Sequence, residues 1–219
     1  QLPHIALLLP VGISFYTFQT MSYTIDIYRG ENVLERSFLK FAVFVAFFPQ
    51  LIAGPIVRAT QFLPQLHHLP HVTSQRFHEG LFLVFKGLSK KVLIADLLAT
   101  LAVDNIFTHP LTFSSWDLLI GLYAYTFQIY YDFSGYSDIA IGLAKMLGYD
   151  LPQNFNRPYL SQNVREFWTR WHISLSTWLR DYLYISLGGN RVAPWRVKMN
   201  LMITMFLGGL WHGAALHFI

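Results

Sequence analysis

The spacing of charge constrains this chain more than any other feature. Leu2 to Ile25 contains no Asp, Glu, Lys or Arg, and neither does Leu201 to Ile219. A bilayer core about 30 Å thick is crossed by roughly 20 mostly apolar residues, so both runs approach spanning length. Only 13% of the chain is charged while 53% is apolar. That charged share is about half of the roughly 25% usual in soluble domains. A soluble fold would lack the polar surface to cover so much apolar material, and a bilayer removes that need.

Read along the chain, the same logic predicts further membrane segments. Pro10 and Gly12 should kink the first run. Residues 38–57 form a second candidate, interrupted by Pro49, Gly54 and Pro55. Such breaks cost about 3 kcal/mol in a soluble helix. Inside a bundle, neighbouring groups can satisfy the freed carbonyls, or the segment can re-enter without crossing. Residues 58–79 read as a loop with an interfacial helix. Residues 80–103 are apolar but carry Lys86, Lys90, Lys91 and Asp96, as a span that starts at the interface would. Residues 116–149 could form one tilted span or two shorter ones broken near Gly135. The expected fold class is therefore all-α: a polytopic transmembrane helical bundle with re-entrant or interfacial helices. It would be a single membrane domain over residues 1–219, incomplete at both ends.

The net charge of +4 matters less than its placement. Residues 150–198 hold seven Arg/Lys against three Asp/Glu, which suits a segment facing the cytoplasm and an anionic leaflet. Membrane lipid is thus an expected partner. No face combines dense Lys/Arg with polar surroundings, so nucleic acid is not expected. The chain has no cysteine, which excludes disulfides, thiolate metal sites and an acyl-cysteine intermediate within it.

Several residues could carry chemistry. His212 sits in Gly208-Gly209-Leu210-Trp211-His212-Gly213, inside an otherwise uncharged segment, where an ionisable residue is a functional candidate. Gly209 and Gly213 would share a helix face and admit close approach. Imidazole is the natural general base near neutral pH; the alternative is a histidine bonded between helices. His217 lies roughly 140° further round a helix and makes no metal pair with His212.

The run from Arg165 to Arg180, read as one helix, places Trp168, Trp171, Leu175, Trp178 and Tyr182 on one stripe. Arg165, Thr169, His172 and Ser176 fall on another. The second stripe could line a polar cavity in which Arg170 and its neighbours hold donor phosphates. Alternatively, the helix lies on the membrane with Trp at headgroup level. Asp132 and Asp138, in an apolar region, need partners: an ion path, a substrate path or buried pairs with Arg. His67-His68-Leu69-Pro70-His71 reads as an interfacial loop, with no metal site expected anywhere in the chain. Gly188-Gly189-Asn190 reads as a turn.

Taken in order, these segments resemble the membrane-bound O-acyltransferase family, in its bacterial alginate O-acetyltransferase-like branch. That branch is similar to the D-alanine exporter of teichoic acid synthesis. The resemblance rests on Gly12 to Gln19, Phe48 to Ile56, Ser89-Lys90-Lys91, Tyr131 to Asp138, Asn154 to Tyr159, Trp171 to Ser174, and Leu210 to Gly213. Ser186 stands where the family usually has proline, and Leu216 where tryptophan is common.

The resemblance implies a helical bundle in the bacterial inner membrane, crossed several times and enclosing a tunnel. An acetyl-CoA-like thioester donor would enter from the cytoplasmic side, with no bound cofactor. The acetyl group would move toward a polysaccharide acceptor, or toward a periplasmic or extracellular acyltransferase partner that completes the transfer. His212 and His172 match the family's motif histidines and become the expected catalytic pair. Trp168, Arg170, Trp171, Trp211, Asp132 and Asp138 become expected substrate-binding residues. Two alternatives stay open: D-alanyl or another acyl group in the same fold, and a transporter or flippase without acyl chemistry.

Overall fold

The computed structural model describes residues 12–31 and 34–213, and every regular element among them is helical. Helix α1 (Ile13–Tyr28) starts at Gly12, so the expected kink is a helix start; Pro10 lies outside the described residues. It buries Phe18, Gln19, Ser22 and Asp26 on one face. Helix α2 (Phe38–Ala46) is capped by Ser37, whose side chain accepts the Lys40 N–H. It ends early, and Phe47 to Val57 continue as turns and extended chain. This is the interruption that Pro49, Gly54 and Pro55 predict. The end of this non-helical chain is buried in protein at Pro55, Ile56 and Val57, while Phe48 and Ile52 are exposed.

Helix α3 (Ala59–Phe62) runs into a 3₁₀ turn at Leu63–His67. Helix α4 (Ser74–Leu88) then opens a long helical run. It passes through wide π turns at Ser89–Ala95 and Ala99–Val103, around the short α5 (Asp96–Leu98), and closes with α6 (Asp104–Thr108). Helix α7 (Ser115–Met146) is unbroken and, at 1.5 Å per residue, about 48 Å long. A reciprocal cap starts it: the Asp117 N–H donates to Ser114 Oγ, and the Ser114 N–H donates to the Asp117 carboxylate.

Of the two readings of residues 116–149, the unbroken helix is the one observed, and Gly135 serves a different purpose from a break. A methyl group on Gly135 would sit 2.8 Å from the Gly87 carbonyl oxygen, and one on Gly142 would sit 2.5 Å from that of Gly80. Two glycine pairs, seven residues apart on each helix, thus bring the α4 and α7 backbones into direct contact. Small residues are the usual means of such close crossing where lipid removes the hydrophobic drive between helices.

Helices α8 (Val164–Arg170) and α9 (Ile173–Trp178) meet at a corner formed by Trp171 and His172; α9 then passes into a π turn, Leu179–Tyr184. The single helix expected over 165–180 is therefore two helices, and the predicted stripes do not form. Leu175, Trp178 and Tyr182 join Phe18 and Ile56 in a buried cluster. Trp168 is 38% exposed on α8, and Trp171 packs elsewhere. The turn at Gly188 (φ 103°) and Gly189 (φ 55°) is as predicted. Asn200 of α10 (Pro194–His212) pins it by donating to the carbonyls of Leu187 and Gly189.

A second core holds Phe44, Phe47, Val57, Phe62 and Leu151. Among the described residues, no helix is both long and apolar enough to cross a membrane alone. The outer faces are nevertheless rich in exposed apolar side chains, including Met199, Met202, Met205, Phe206 and Leu210 on α10.

Candidate active site

Buried polar groups concentrate where the α8–α9 corner meets the middle of α7. Their hub is Asn154, which is fully buried. Its Oδ1 accepts the Ser174 backbone N–H at 3.2 Å and the Ser174 hydroxyl at 2.9 Å, while its Nδ2 donates to Ser137 Oγ at 3.3 Å. Ser174 Oγ accepts the Ile56 N–H at 2.9 Å, tying in the broken segment after α2. Backbone bonds bracket the corner on both sides. The Ile173 N–H donates to the Asn154 carbonyl and the Asn156 N–H to that of Arg170, each at 2.9 Å.

His172 occupies the corner itself. Its φ of 40° is left-handed, a conformation that costs a residue other than glycine on the order of 1–3 kcal/mol. Only 2% of it is exposed, and its Nδ1 is hydrogen-bonded to Asn154 Oδ1 at 3.2 Å. Nε2 is buried and finds no partner among the described residues. The edge of Phe133 meets the ring at 4.7 Å between centroids. His172 lies on a connector rather than in a spanning helix. Burial drives its imidazole down to about 3, and a charge on His212 would act in the same direction. His172 is therefore neutral at physiological pH, and His212 lies within its electrostatic reach.

The end of α10 comes to the same region. Gly208 lets the helix settle against Leu179, with 3.2 Å between a would-be methyl group and Leu179 Cδ1. Gly213 lies just beyond the helix end, so it does not share a helix face with Gly209. Trp211 packs edge-on against Phe18 and Phe15 at 5.1 and 6.0 Å, and its Nε1 is buried without a partner among the described residues. The His212 ring meets Trp211 at 4.7 Å and is itself exposed. Beside them, Ile13, Phe18, Met21, Trp178, Tyr182 and Trp211 help line an apolar cavity of about 470 Å³.

A model of the membrane-bound O-acyltransferase family matches residues 29–219. The chain belongs to the membrane-bound O-acyltransferase family. It is 54% identical over 215 residues to a probable alginate O-acetylase, AlgI, of Pseudomonas aeruginosa, covering 97% of this chain and 40% of the relative. It is 40% identical over 239 residues to a peptidoglycan O-acetyltransferase of Helicobacter pylori, covering 97% and 45%. A teichoic acid D-alanyltransferase of Bacillus subtilis is 29% identical over 225 residues, covering 95% and 55%. The chain thus spans about two fifths of the length of the AlgI-type curated relatives it matches.

Within this family member, the remaining predicted residues are placed unevenly. Trp171 stacks on Phe167 (5.6 Å, 14°) and meets Phe155 edge-on at 5.2 Å, close to His172. Arg170 is paired with Glu166 at 2.5 Å. Asp138 is held by Lys90 at 2.7 Å and Lys86 at 3.1 Å, and Asp132 by Lys91 at 2.6 Å. The partners of both aspartates are thus lysines of the α4 run; of the three open readings, this is charge pairing, with lysine in place of arginine. Of the loop histidines, His67 sits between Glu35 and Lys40, each 2.8 Å away. No metal-binding group of three ligands occurs among the described residues. Asn154 was not singled out as a site residue, since nothing in the sequence marks an asparagine followed by Phe and Asn as a hydrogen-bond hub. Gln50 was missed likewise: both of its side-chain polar atoms are buried without partners among the described residues.

Proposed function

We propose that this chain carries the transfer centre of a multi-pass O-acyltransferase of the bacterial inner membrane. It would move an acetyl group from a thioester donor to a polysaccharide hydroxyl, directly or through a periplasmic or extracellular acyltransferase partner. The observation that carries this is the pairing of two unlike imidazoles. His172 is buried and neutral with a free ring nitrogen, and His212 is accessible at the end of α10 within its electrostatic reach. The names of the P. aeruginosa and H. pylori relatives support a polysaccharide acceptor and acetyl as the group transferred. Exposed apolar residues on α10 and α7 support a lipid or bundle environment.

In this mechanism His212 removes the proton from the acceptor hydroxyl as its oxygen attacks the thioester carbonyl. The new C–O bond forms, the C–S bond breaks, and the proton returns to the departing thiolate. General-base action of this kind supplies about 10²–10⁴-fold. His172, whose Nε2 has no partner among the described residues, orients the reacting groups from beside them. The apolar cavity beside Trp211 suits the uncharged arm of a thioester.

The test is His212→Ala in the full-length protein, with membrane expression confirmed and acetyl transfer measured in membranes supplied with donor and acceptor. The expected result is a loss of about 10²-fold or more. Full transfer by that variant would overturn the mechanism. Mass spectrometry of the modified polymer distinguishes acetyl from D-alanyl, the group named for the B. subtilis relative.

A further inference from the structure

We infer that Asn154 is a positioning residue: its side-chain carbonyl holds His172 in the tautomer protonated at Nδ1, leaving the Nε2 lone pair free for the transfer chemistry. The inference deepens the function proposed above and rests on it for the use made of Nε2.

The tautomer follows from donors whose identity is fixed. A backbone N–H can only donate, so the Asn154 atom facing the Ser174 N–H at 3.2 Å must be the oxygen. The other end of the amide is then Nδ2, and it faces Ser137 Oγ as a donor should. Ser174 Oγ already accepts the Ile56 N–H, which leaves its own proton to point at Asn154 Oδ1. That oxygen is therefore surrounded by donors. The third atom at hydrogen-bonding distance is His172 Nδ1, at 3.2 Å, and it bonds to an oxygen acceptor only if it carries the proton. A neutral imidazole has one N–H, so Nε2 carries the lone pair.

Two further observations show that the fold maintains this arrangement at a cost. Nε2 is buried without a partner among the described residues, a condition that ordinarily costs stability and calls for an explanation. The left-handed φ of His172 adds strain at the same residue. The backbone bonds at Ile173 and Asn156 hold the corner in place on both sides. A group kept strained and unpartnered in this way is poised for a ligand, and its orienting neighbour matters as much as the group itself.

Solid-state NMR of the full-length protein in lipid, with ¹⁵N-labelled histidine, reads the tautomer without reference to activity. His172→Gln identifies the signal. The expected spectrum has a protonated Nδ1 and a bare Nε2; a proton on Nε2 would overturn the inference. Kinetics then separate positioning from mere structure. Asn154→Asp keeps an oxygen acceptor and should hold transfer within about tenfold of wild type. Asn154→Leu should lower kcat by about 10²-fold or more with donor KM little changed. An Asn154→Asp variant as inactive as Asn154→Leu, at normal expression, would also overturn it. If His172→Gln kept full activity while the tautomer stood as stated, the catalytic use of His172 would fail and the assignment of Asn154 as its anchor would survive.

Discussion

The α4–α7 crossing offers the most direct test of the fold that positions the site. A methyl group at Gly142 would stand 2.5 Å from the Gly80 carbonyl oxygen and 2.9 Å from the Val84 nitrogen. Ordinary contact begins near 3.4 Å, so the helices must part by about 3.4 − 2.5 = 0.9 Å, because backbone atoms cannot turn aside. Overpacking of this kind costs about 1–3 kcal/mol. Replacing a helical glycine with alanine returns about 1 kcal/mol of propensity. With backbone on both sides of the clash, the upper end applies, and Gly142→Ala should lose about 2 kcal/mol. That is roughly a 30-fold shift in the folded ratio, read as a lower melting temperature of the full-length protein in detergent or nanodiscs. Gly30→Ala is the control: its φ is 81° but nothing lies within 4 Å, so its cost comes from the backbone alone. Gly135→Ala and Gly142→Ala together should cost less than their sum, since the first opening makes room for the second. A Gly142→Ala melting temperature at or above wild type, or strict additivity, would refute the reasoning.

Two other changes test how the segment after α9 is held, by α1 at Tyr182 and by Arg58 at Asp181. Tyr182 donates its hydroxyl to the buried Asp26 carboxylate, 2.7 and 2.8 Å from its two oxygens. Tyr182→Phe should therefore cost about 1–3 kcal/mol in thermal stability, and adding Asp26→Leu should recover part of it. At Asp181 burial alone would raise the carboxyl, but hydrogen bonds from Arg180 and Arg58 outweigh it and hold it below its ordinary value. Its folded value is thus below the unfolded one of about 3.9. The stability it contributes is complete above that unfolded value and is lost as pH falls through the folded one. Wild type should lose more stability than Asp181→Asn on acidification below about pH 4; equal losses by circular dichroism would remove Asp181 from the account.

What was legible in the sequence followed from patterns that are local. The Pro/Gly interruption after α2 and the turn at Gly188-Gly189 each depend on neighbours in the chain, and the backbone follows them; the charge-free runs yield no helix able to cross a membrane alone among the described residues. The corner at His172 did not announce itself, because Trp168, Trp171 and Leu175 keep a helical spacing across a break made by tertiary bonds. The Asn154 carbonyl takes the Ile173 N–H and the Arg170 carbonyl takes the Asn156 N–H, and periodicity carries no trace of either. Glycines 80, 87, 135 and 142 were hidden for the same reason, since a heptad of glycines on one helix has meaning only beside its partner. The family resemblance reached the two histidines directly. It also ran through Asn154, in the segment Asn154 to Tyr159, without marking it as the hydrogen-bond partner of His172.

The unequal settings of the two histidines bear on which of them can move protons. A general base must accept a proton and then release it, so it needs access and an imidazolium that its surroundings tolerate. His172 meets neither condition: it is 2% exposed, ringed by Phe133 and Phe155, and driven far toward the neutral form by burial. A ring fixed in one tautomer is instead suited to direct a lone pair at a donor N–H or at a proton already in transit. His212 stands at a helix end with its ring against Trp211 and is exposed, where an alcohol could approach. Under the proposed mechanism the labour would divide accordingly: exchange of the proton would belong to His212, and orientation of the reacting groups to His172 and, behind it, Asn154. On that basis His172→Gln should leave slow transfer that still responds to pH through His212, whereas His212→Ala should remove the pH-dependent part altogether. A pH–rate profile unchanged in His212→Ala would reverse the two roles.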